Sequence, residues 1–271
     1  MKHNPIFNPF SLDGKVIILT GGMGFLGQQY SEALIQAGAY VVIFDNKDKN
    51  KIEKAGVFSN DKCKYEQVDI TVEEQVKEAV TKVFNKFGKI DSLINNAAMN
   101  PAVGNPESAK LSGPYEDHPI NLWRKEVDVN LTGMQICIQT VAPYMMKSKQ
   151  GTIVNIASEI SVMAYDWTDV YPVGKFKSLA YIATKHGVVG LTKGWAAYLG
   201  PYGVRVNSFS PGGMQTDQMS PEFVVAYGKK NMLKSMAQIN DYNAHIIFLC
   251  SAASARMTGH NLIADGGKSA W

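Results

Sequence analysis

Cysteine is scarce in this 271-residue chain: Cys63, Cys137 and Cys250 are far apart and include no CxxC pair. That excludes a disulfide framework and a structural zinc site, and no metal is expected. Cys137 in "MQICIQT" and Cys250 in "IIFLCSA" have apolar neighbours, where a buried, inert thiol is expected. Long apolar runs are missing as well, none reaching the ~18 residues of an ordinary membrane span. The opening "MKHNPIFNPFSLDG" carries two prolines and no continuous apolar core, so it reads as a loose arm over residues 1–13, not as a signal peptide. Runs of one charge are also absent. Lys and Arg number 27 against 24 Asp and Glu, and the densest basic stretch, "NKDKNKIEK" from Asn46, is interleaved with acids. That excludes the basic track a nucleic-acid backbone requires. A protein of the reducing cytoplasm is the expectation.

What the sequence does have is alternation. "KVIILT" is a β-branched run ended by glycines, followed by "QQYSEALIQAG" with helical spacing at Tyr30, Ala33, Leu34 and Ala37. "YVVIFD", "IDSLINNAA", "GTIVNIAS", "VRVNSFSPGG" and "GHNLIADGG" read as further strands. Between them "TVEEQVKEAVTKVFNKFG", "LWRKEVDVNLTGMQICIQTVAPYMMKS", "AYIATKHGVVGLTKGWAAYLG" and "DYNAHIIFLCSA" read as helices, the first with Thr71 as N-cap and Glu74 completing a capping box. Alternation of this kind implies an α/β fold: one Rossmann-type domain over residues 1–271, a doubly wound parallel sheet with helices on both faces.

"ILTGGMGFLGQQ" places Gly22-x-Gly24-x-x-Gly27 directly between a strand and a helix. Glycines there let the backbone turn tightly and approach a pyrophosphate, which the free N–H groups of a helix start favour. Asp45 ends the second strand, where a carboxylate accepts hydrogen bonds from the adenosine ribose and repels a 2′-phosphate. NAD is therefore expected in preference to NADP, with Lys47, two residues on, as the residue that could reach a phosphate.

Taken in order, "TGGMGFLG", "VDI" at Val68–Ile70, "NNAA" at Asn95–Ala98, "VNLTG" around Asn130, "IVNIAS" ending at Ser158, "YIATK", "RVNSFSPGGMQT" and "ADGG" resemble the short-chain dehydrogenase/reductase family over nearly the whole chain. The resemblance implies an NAD(P)-dependent oxidoreductase whose catalytic set is Asn130, Ser158, Tyr181 and Lys185. It implies that Gly21, Gly24, Phe25, Leu26 and Gly27 bind the cofactor's phosphates, with Asp45 on the ribose and Asp69 and Ile70 at the adenine. Asn96 and Ala97 would line the cofactor ribose, Tyr181 and Lys185 would meet the nicotinamide ribose, and Pro211, Gly212 and Thr216 would lie beside the nicotinamide. One departure is that the glycines run Gly21-x-x-Gly24-x-x-Gly27, the spacing of the family's longer nucleotide-sugar members, in a chain too short for their added domain.

The pattern Tyr-x-x-x-Lys occurs twice, at Tyr171–Lys175 and Tyr181–Lys185. Counting thirteen residues from Ser158, as the family's usual spacing suggests, reaches Tyr171. Physical chemistry favours the second copy, because Pro172 and Gly174 oppose a helix through the first, the glycine alone by about 1 kcal/mol. Tyr181 and Lys185 open an alanine-bearing helix that puts both on one face. A phenol is a poor base at neutral pH, and a neighbouring ammonium lowers its pKa. Lys185 would tune Tyr181, Tyr181 would pass the alcohol proton, Ser158 would steady the same oxygen, and Asn130 would hold a water leading from Lys185 to solvent. His186 points away from such a pair and reads as structural.

An insertion thus precedes Tyr181, over about 159–179, carrying Tyr165, Asp166, Trp167, Asp169, Tyr171 and Lys175. It suits either a polar, ring-shaped substrate such as a sugar or a subunit contact, and Glu159 is a possible substrate contact. Together with "GGMGFLG" and the closing "DGGKSAW", this insertion before "YIATKHG" resembles the flagellin-modification group of the family, linked to sialic-acid-like sugars. A gluconate-type sugar-acid or polyol dehydrogenase, a nucleotide-sugar dehydratase or epimerase retaining NAD, and a non-catalytic dinucleotide sensor stay open. The family resemblance further implies a homo-oligomer, dimer or tetramer, paired through the long helices starting near Leu122 and Ala180, with Trp271 near a partner's active site.

Overall fold

A computed structural model describes residues 8–48, 60–100, 113–166, 170 and 176–271. Seven parallel strands form the sheet among these residues. They are β1 Val16–Thr20, β2 Tyr40–Asp45, β3 Cys63–Gln67, β4 Ser92–Asn95, β5 Gly151–Ile156, β6 Val204–Pro211 and β7 Asn261–Ala264, in the spatial order β3-β2-β1-β4-β5-β6-β7. The helices are α1 Phe25–Gln36, α2 Glu73–Phe87, α3 Ile120–Val127, α4 Gly133–Ser148, α5 Leu179–Leu199, α6 Pro221–Lys229 and α7 Asn243–Cys250.

The central strands β1 and β2 read as nearly unbroken apolar runs because both faces are covered. Side chains alternate across a strand, so Val16, Ile18, Val42, Phe44 and Leu93 pack on α2, α4 and α5. Ile17, Leu19, Val41, Ile43 and Ile94 pack on α1 and α7 from the other side. This is the expected α/β Rossmann architecture. Strand order reverses between β1 and β4, which opens a crevice at the carboxyl ends of the strands. No helix among the described residues is long and apolar enough to cross a membrane.

Several local expectations change. The capping box is not formed: Asp69 Oδ1 accepts from both Thr71 N (2.9 Å) and Thr71 Oγ1 (2.7 Å), which removes Thr71 from the helix, and Val72 stands at the cap position. The long helix around Asn130 is interrupted by a π-turn over Asp128–Thr132. The arm is not loose throughout, since Leu12 is fully buried with its N–H on Ala37 O (3.0 Å), and Ala253 N–H donates to Pro9 O (3.0 Å). β3 and α6 lie where the sequence pattern predicts no element. β3 is a sheet edge whose "KYEQ" is mostly polar, so it lacks the apolar run of its neighbours.

Candidate active site

The turn joining β1 to α1 is shaped by glycine. Gly21 has φ +64°, and a Cβ there would lie 2.6 Å from Ala97 Cα, so both backbone conformation and space reject a side chain. At Gly27 a Cβ would overlap the Gly21 carbonyl, and its absence lets α1 settle directly onto the turn. The first turn of α1 has no side-chain cap at Gly24 and no acidic residue. Its N–H groups are thereby left to an anion. Phe25 is exposed there, while Leu26 packs inward.

β4 is tied to this turn from the other side of the crevice. Thr20 Oγ1 accepts from Asn96 N (3.0 Å) and Ala97 N (3.1 Å), and Asn96 Nδ2 donates to Thr20 O (3.1 Å) and Gly21 O (3.0 Å). Asp45, buried at the end of β2, accepts from Met23 N (3.0 Å) and Lys47 N (3.2 Å). The Lys47 ammonium folds back onto Met23 O (3.0 Å). Asp69 belongs to the turn before α2, and Ile70 is buried against Gly133. The glycine cradle, the uncapped helix start and the Asp45 carboxylate fit a dinucleotide.

The second group of predicted residues gathers at the carboxyl ends of β5 and β6. Tyr181 and Lys185 lie one turn apart on α5, with Lys185 Nζ 5.4 Å from the Tyr181 ring centre. Lys185 is 2% exposed and donates to Ile156 O (2.7 Å), which pins α5 to the end of β5 two residues before Ser158. Burial, then the like charge of Lys177, pulls the Lys185 ammonium down to about 7. Ser158, also buried, starts the turn after β5, with its carbonyl accepting from Ser161 N (2.8 Å). Pro211 ends β6 and Gly212 N–H continues the ladder onto Ala264 O (2.9 Å); Thr216 stands half-buried in the loop beyond.

Asn130 occupies the π-turn, fully buried. Its Oδ1 accepts from Met99 N (2.7 Å) and its Nδ2 donates to Met99 O (3.0 Å) and Thr184 Oγ1 (3.3 Å). The side-chain amide therefore clamps the exit of β4 against α5, and the water-holding role expected of Asn130 does not fall to its amide hydrogens.

Glu159 is 2% exposed, and a single oxygen of it takes both charged and neutral donors: Lys268 Nζ at 2.8 Å and the Tyr227 hydroxyl. Lys268 also lies over the rings of Tyr227 (3.9 Å) and Tyr165 (5.5 Å). Asp166 pairs with Lys230 at 2.7 Å, and Val170 packs with Tyr227 and Met236. The described parts of the insertion thus lean on α6 and the C-terminal tail. Four of its predicted residues, Trp167, Asp169, Tyr171 and Lys175, lie outside the described residues. His186 is exposed, with a ring nitrogen 3.0 Å from Ile182 O, as expected of a structural residue. Trp271 is 74% exposed and donates to Lys230 O (2.8 Å) of its own chain.

Sequence reasoning missed Lys177, Glu126, Lys268 and Tyr227. Glu126 on α3 is fully buried, accepts from Ser178 Oγ (2.6 Å) and lies 3.8 Å from His118 Nε2; burial raises its pKa. Lys177 Nζ sits 4.8 Å from the Tyr181 ring centre and donates to Asn100 Oδ1. No local pattern announces the Lys177–Asn100, Ser178–Glu126 and Lys268–Glu159 contacts, because each joins segments distant in sequence.

A family model described as enoyl-(acyl carrier protein) reductase matches residues 24–269. The uncharacterized oxidoreductase YgcW of Escherichia coli is 33% identical over 95% of this chain and 94% of its own length. An NAD-dependent glycerol dehydrogenase of Listeria innocua is 30% identical over 95% of each chain. Among solved structures, a short-chain dehydrogenase of Leptospira borgpetersenii with bound NAD+ superposes with a TM-score of 0.85 at 28% identity, covering 99% of both chains. A gluconate 5-dehydrogenase of Burkholderia cenocepacia with NADP and tartrate gives 0.83 at 27% identity, covering 97% of this chain and 98% of that one. Fold, site and relatives define an NAD(P)-dependent oxidoreductase acting on a small molecule. The chain belongs to the short-chain dehydrogenase/reductase family.

Proposed function

We propose that this enzyme interconverts a secondary alcohol and a ketone on a polar, sugar-derived substrate, with NAD as its preferred cofactor. The observation that carries the reading is the buried Lys185 ammonium on Ile156 O, one helical turn from Tyr181 and beside the Ser158 turn. Tyr181 takes the hydroxyl proton in oxidation and returns it in reduction. Lys185 favours the phenolate by its charge. Ser158 donates to the same substrate oxygen and steadies the charge that develops there. Asn130 keeps the Met99 loop and α5 in register around them. When bound, the nicotinamide accepts or supplies the hydride. Gly21, Gly24, Phe25, Leu26 and Gly27 would hold the phosphates, Asp45 the adenosine ribose, Asp69 and Ile70 the adenine, Asn96, Ala97 and Lys185 the riboses, and Pro211, Gly212 and Thr216 the nicotinamide end.

The NAD preference rests on Asp45, whose carboxylate opposes a 2′-phosphate; Lys47, turned onto Met23 O, is the group that NADP would have to recruit. Support for a polyhydroxylated substrate comes from the glycerol- and gluconate-acting relatives. The resemblance to the flagellin-modification group adds amino- and nucleotide-sugars to the candidates. A cytoplasmic homo-oligomer, dimer or tetramer, paired through the helical stretch from Leu122 along α3 and α4 and through α5, completes the proposal.

The test is a screen of glycerol, gluconate, aldohexoses and nucleotide sugars with NAD and with NADP, followed by nicotinamide absorbance. Net NAD reduction with a polyhydroxylated substrate is expected. Consumption of a nucleotide sugar with no net change in absorbance would instead identify a dehydratase or epimerase.

A further inference from the structure

Two lysines lie close to the ring of Tyr181. Lys185 reaches it from the next turn of α5, with Nζ 5.4 Å from the ring centre, and Lys177, from the segment leading into α5, comes nearer at 4.8 Å. A lysine brought this close to another and drawn away from water tends to lose its proton. Burial brings Lys177 down to about 8, and what keeps it from falling further is the negative charge of Glu126 and Glu159. Glu126 is held for this position: it is fully buried, and its Oε1 accepts from Ser178, the residue next to Lys177. Lys177 itself is oriented by its bond to Asn100 Oδ1, just beyond β4. An acid buried on α3, with its second oxygen lacking a hydrogen-bond partner among the described residues, would be costly if it served packing alone.

We propose that Lys177 is a second charge partner of Tyr181, acting with Lys185 to favour the phenolate and held in place by Asn100 and the Ser178–Glu126 pair. This rests on the reading of Tyr181 as the proton-transfer group. Among the described residues, the charged and titratable groups around Tyr181 are Lys185 on its own helix, Lys177 before it, and Glu126 on α3 with His118 behind it. Glu159 after β5 completes the set, with Lys268 and Tyr227 engaged on it. Removing a positive charge from this group moves every deprotonation of the Tyr181–Lys185 unit to higher pH, because both the phenolate and the neutral amine are then less favoured.

The experiment follows tyrosinate formation by ultraviolet difference absorbance on the full chain saturated with NAD. The Tyr181→Phe variant is subtracted from its parent, in the wild-type, Lys177→Met and Lys177→Arg backgrounds. The expected midpoint for Tyr181 rises by about one pH unit in Lys177→Met and does not rise in Lys177→Arg, which carries the charge at every pH. With any alcohol the enzyme oxidises, the acid limb of kcat/KM moves by the same amount, and the two curves meet at high pH. An unchanged midpoint in Lys177→Met, or equal shifts in the Met and Arg variants, overturns the proposal. The titration needs no substrate, so it separates this claim from the proposed function, which fails instead if Tyr181→Phe retains turnover.

Discussion

The two ends of the sheet treat buried charge differently. At the amino ends of the strands, Asp91 is buried and surrounded by donors: Val16 N at 2.9 Å, Lys15 at 3.2 Å and Lys89 at 3.0 Å. Nearby, Arg205 donates to Ser254 Oγ (2.9 Å) and to the carbonyls of Leu249 (3.2 Å), Ser251 (3.1 Å) and Met257 (3.3 Å). At the carboxyl ends, Glu126 and Glu159 each keep one oxygen without a hydrogen-bond partner among the described residues, and Lys177 and Lys185 are held well below the usual lysine range. Saturated groups hold a fold together; strained titrations and incomplete bonding accompany the end where the proposed site lies.

Substitutions at each end should sharpen that contrast. The largest effect is expected from Lys185→Met, which should lower kcat/KM by about 10³-fold while raising thermal stability. The sign follows from linkage. Lys185 titrates near 7 when folded, against about 10.4 when unfolded, so its cost to stability is complete below pH 7 and disappears as pH rises through the unfolded value. Calorimetry should therefore give a Tm gain of about 5 °C at pH 6 that shrinks toward pH 10. Next comes Ser158→Ala, expected to reduce kcat about 10²-fold with the dissociation constant for NAD unchanged in a fluorescence titration. The smallest effect belongs to the opposite end. Asp91→Asn should cost about 1–2 kcal/mol in urea denaturation, modest because the lysine partners are partly exposed, and should leave kcat/KM as it is. Equal losses of stability and activity at both ends would erase the distinction.

How much of this could be read from sequence follows the same division. The cofactor turn was legible because its chemistry is local: Gly21, Gly24 and Gly27 answer to one tight turn, and Asp45 to the end of one strand. The rival Tyr171–Lys175 copy lies outside the described residues, but the pairing of Tyr181 with Lys185 on α5 was legible because a helix fixes their spacing. The charged surroundings were not. Lys177, Glu126, Lys268 and Tyr227 acquire meaning only when segments up to 109 residues apart meet, as Lys268 and Glu159 do. Local rules also failed where a neighbour offered a better bond: Asp69 captured Thr71 and dissolved the expected cap. Asn130 shows a third limit, since the family resemblance implied its role, while its partners Met99, beyond β4, and Thr184, on α5, follow from the π-turn that presents it to them.

The central claim is that proton transfer belongs to the tyrosine on α5 and not to its upstream counterpart. The direct measurement is kcat and KM for Tyr181→Phe and Tyr171→Phe, with NAD affinity measured on both. Tyr181→Phe should lower turnover by at least about 10³-fold with NAD still bound, and Tyr171→Phe should change KM at most. Turnover that survives in the first variant and vanishes in the second would contradict the account.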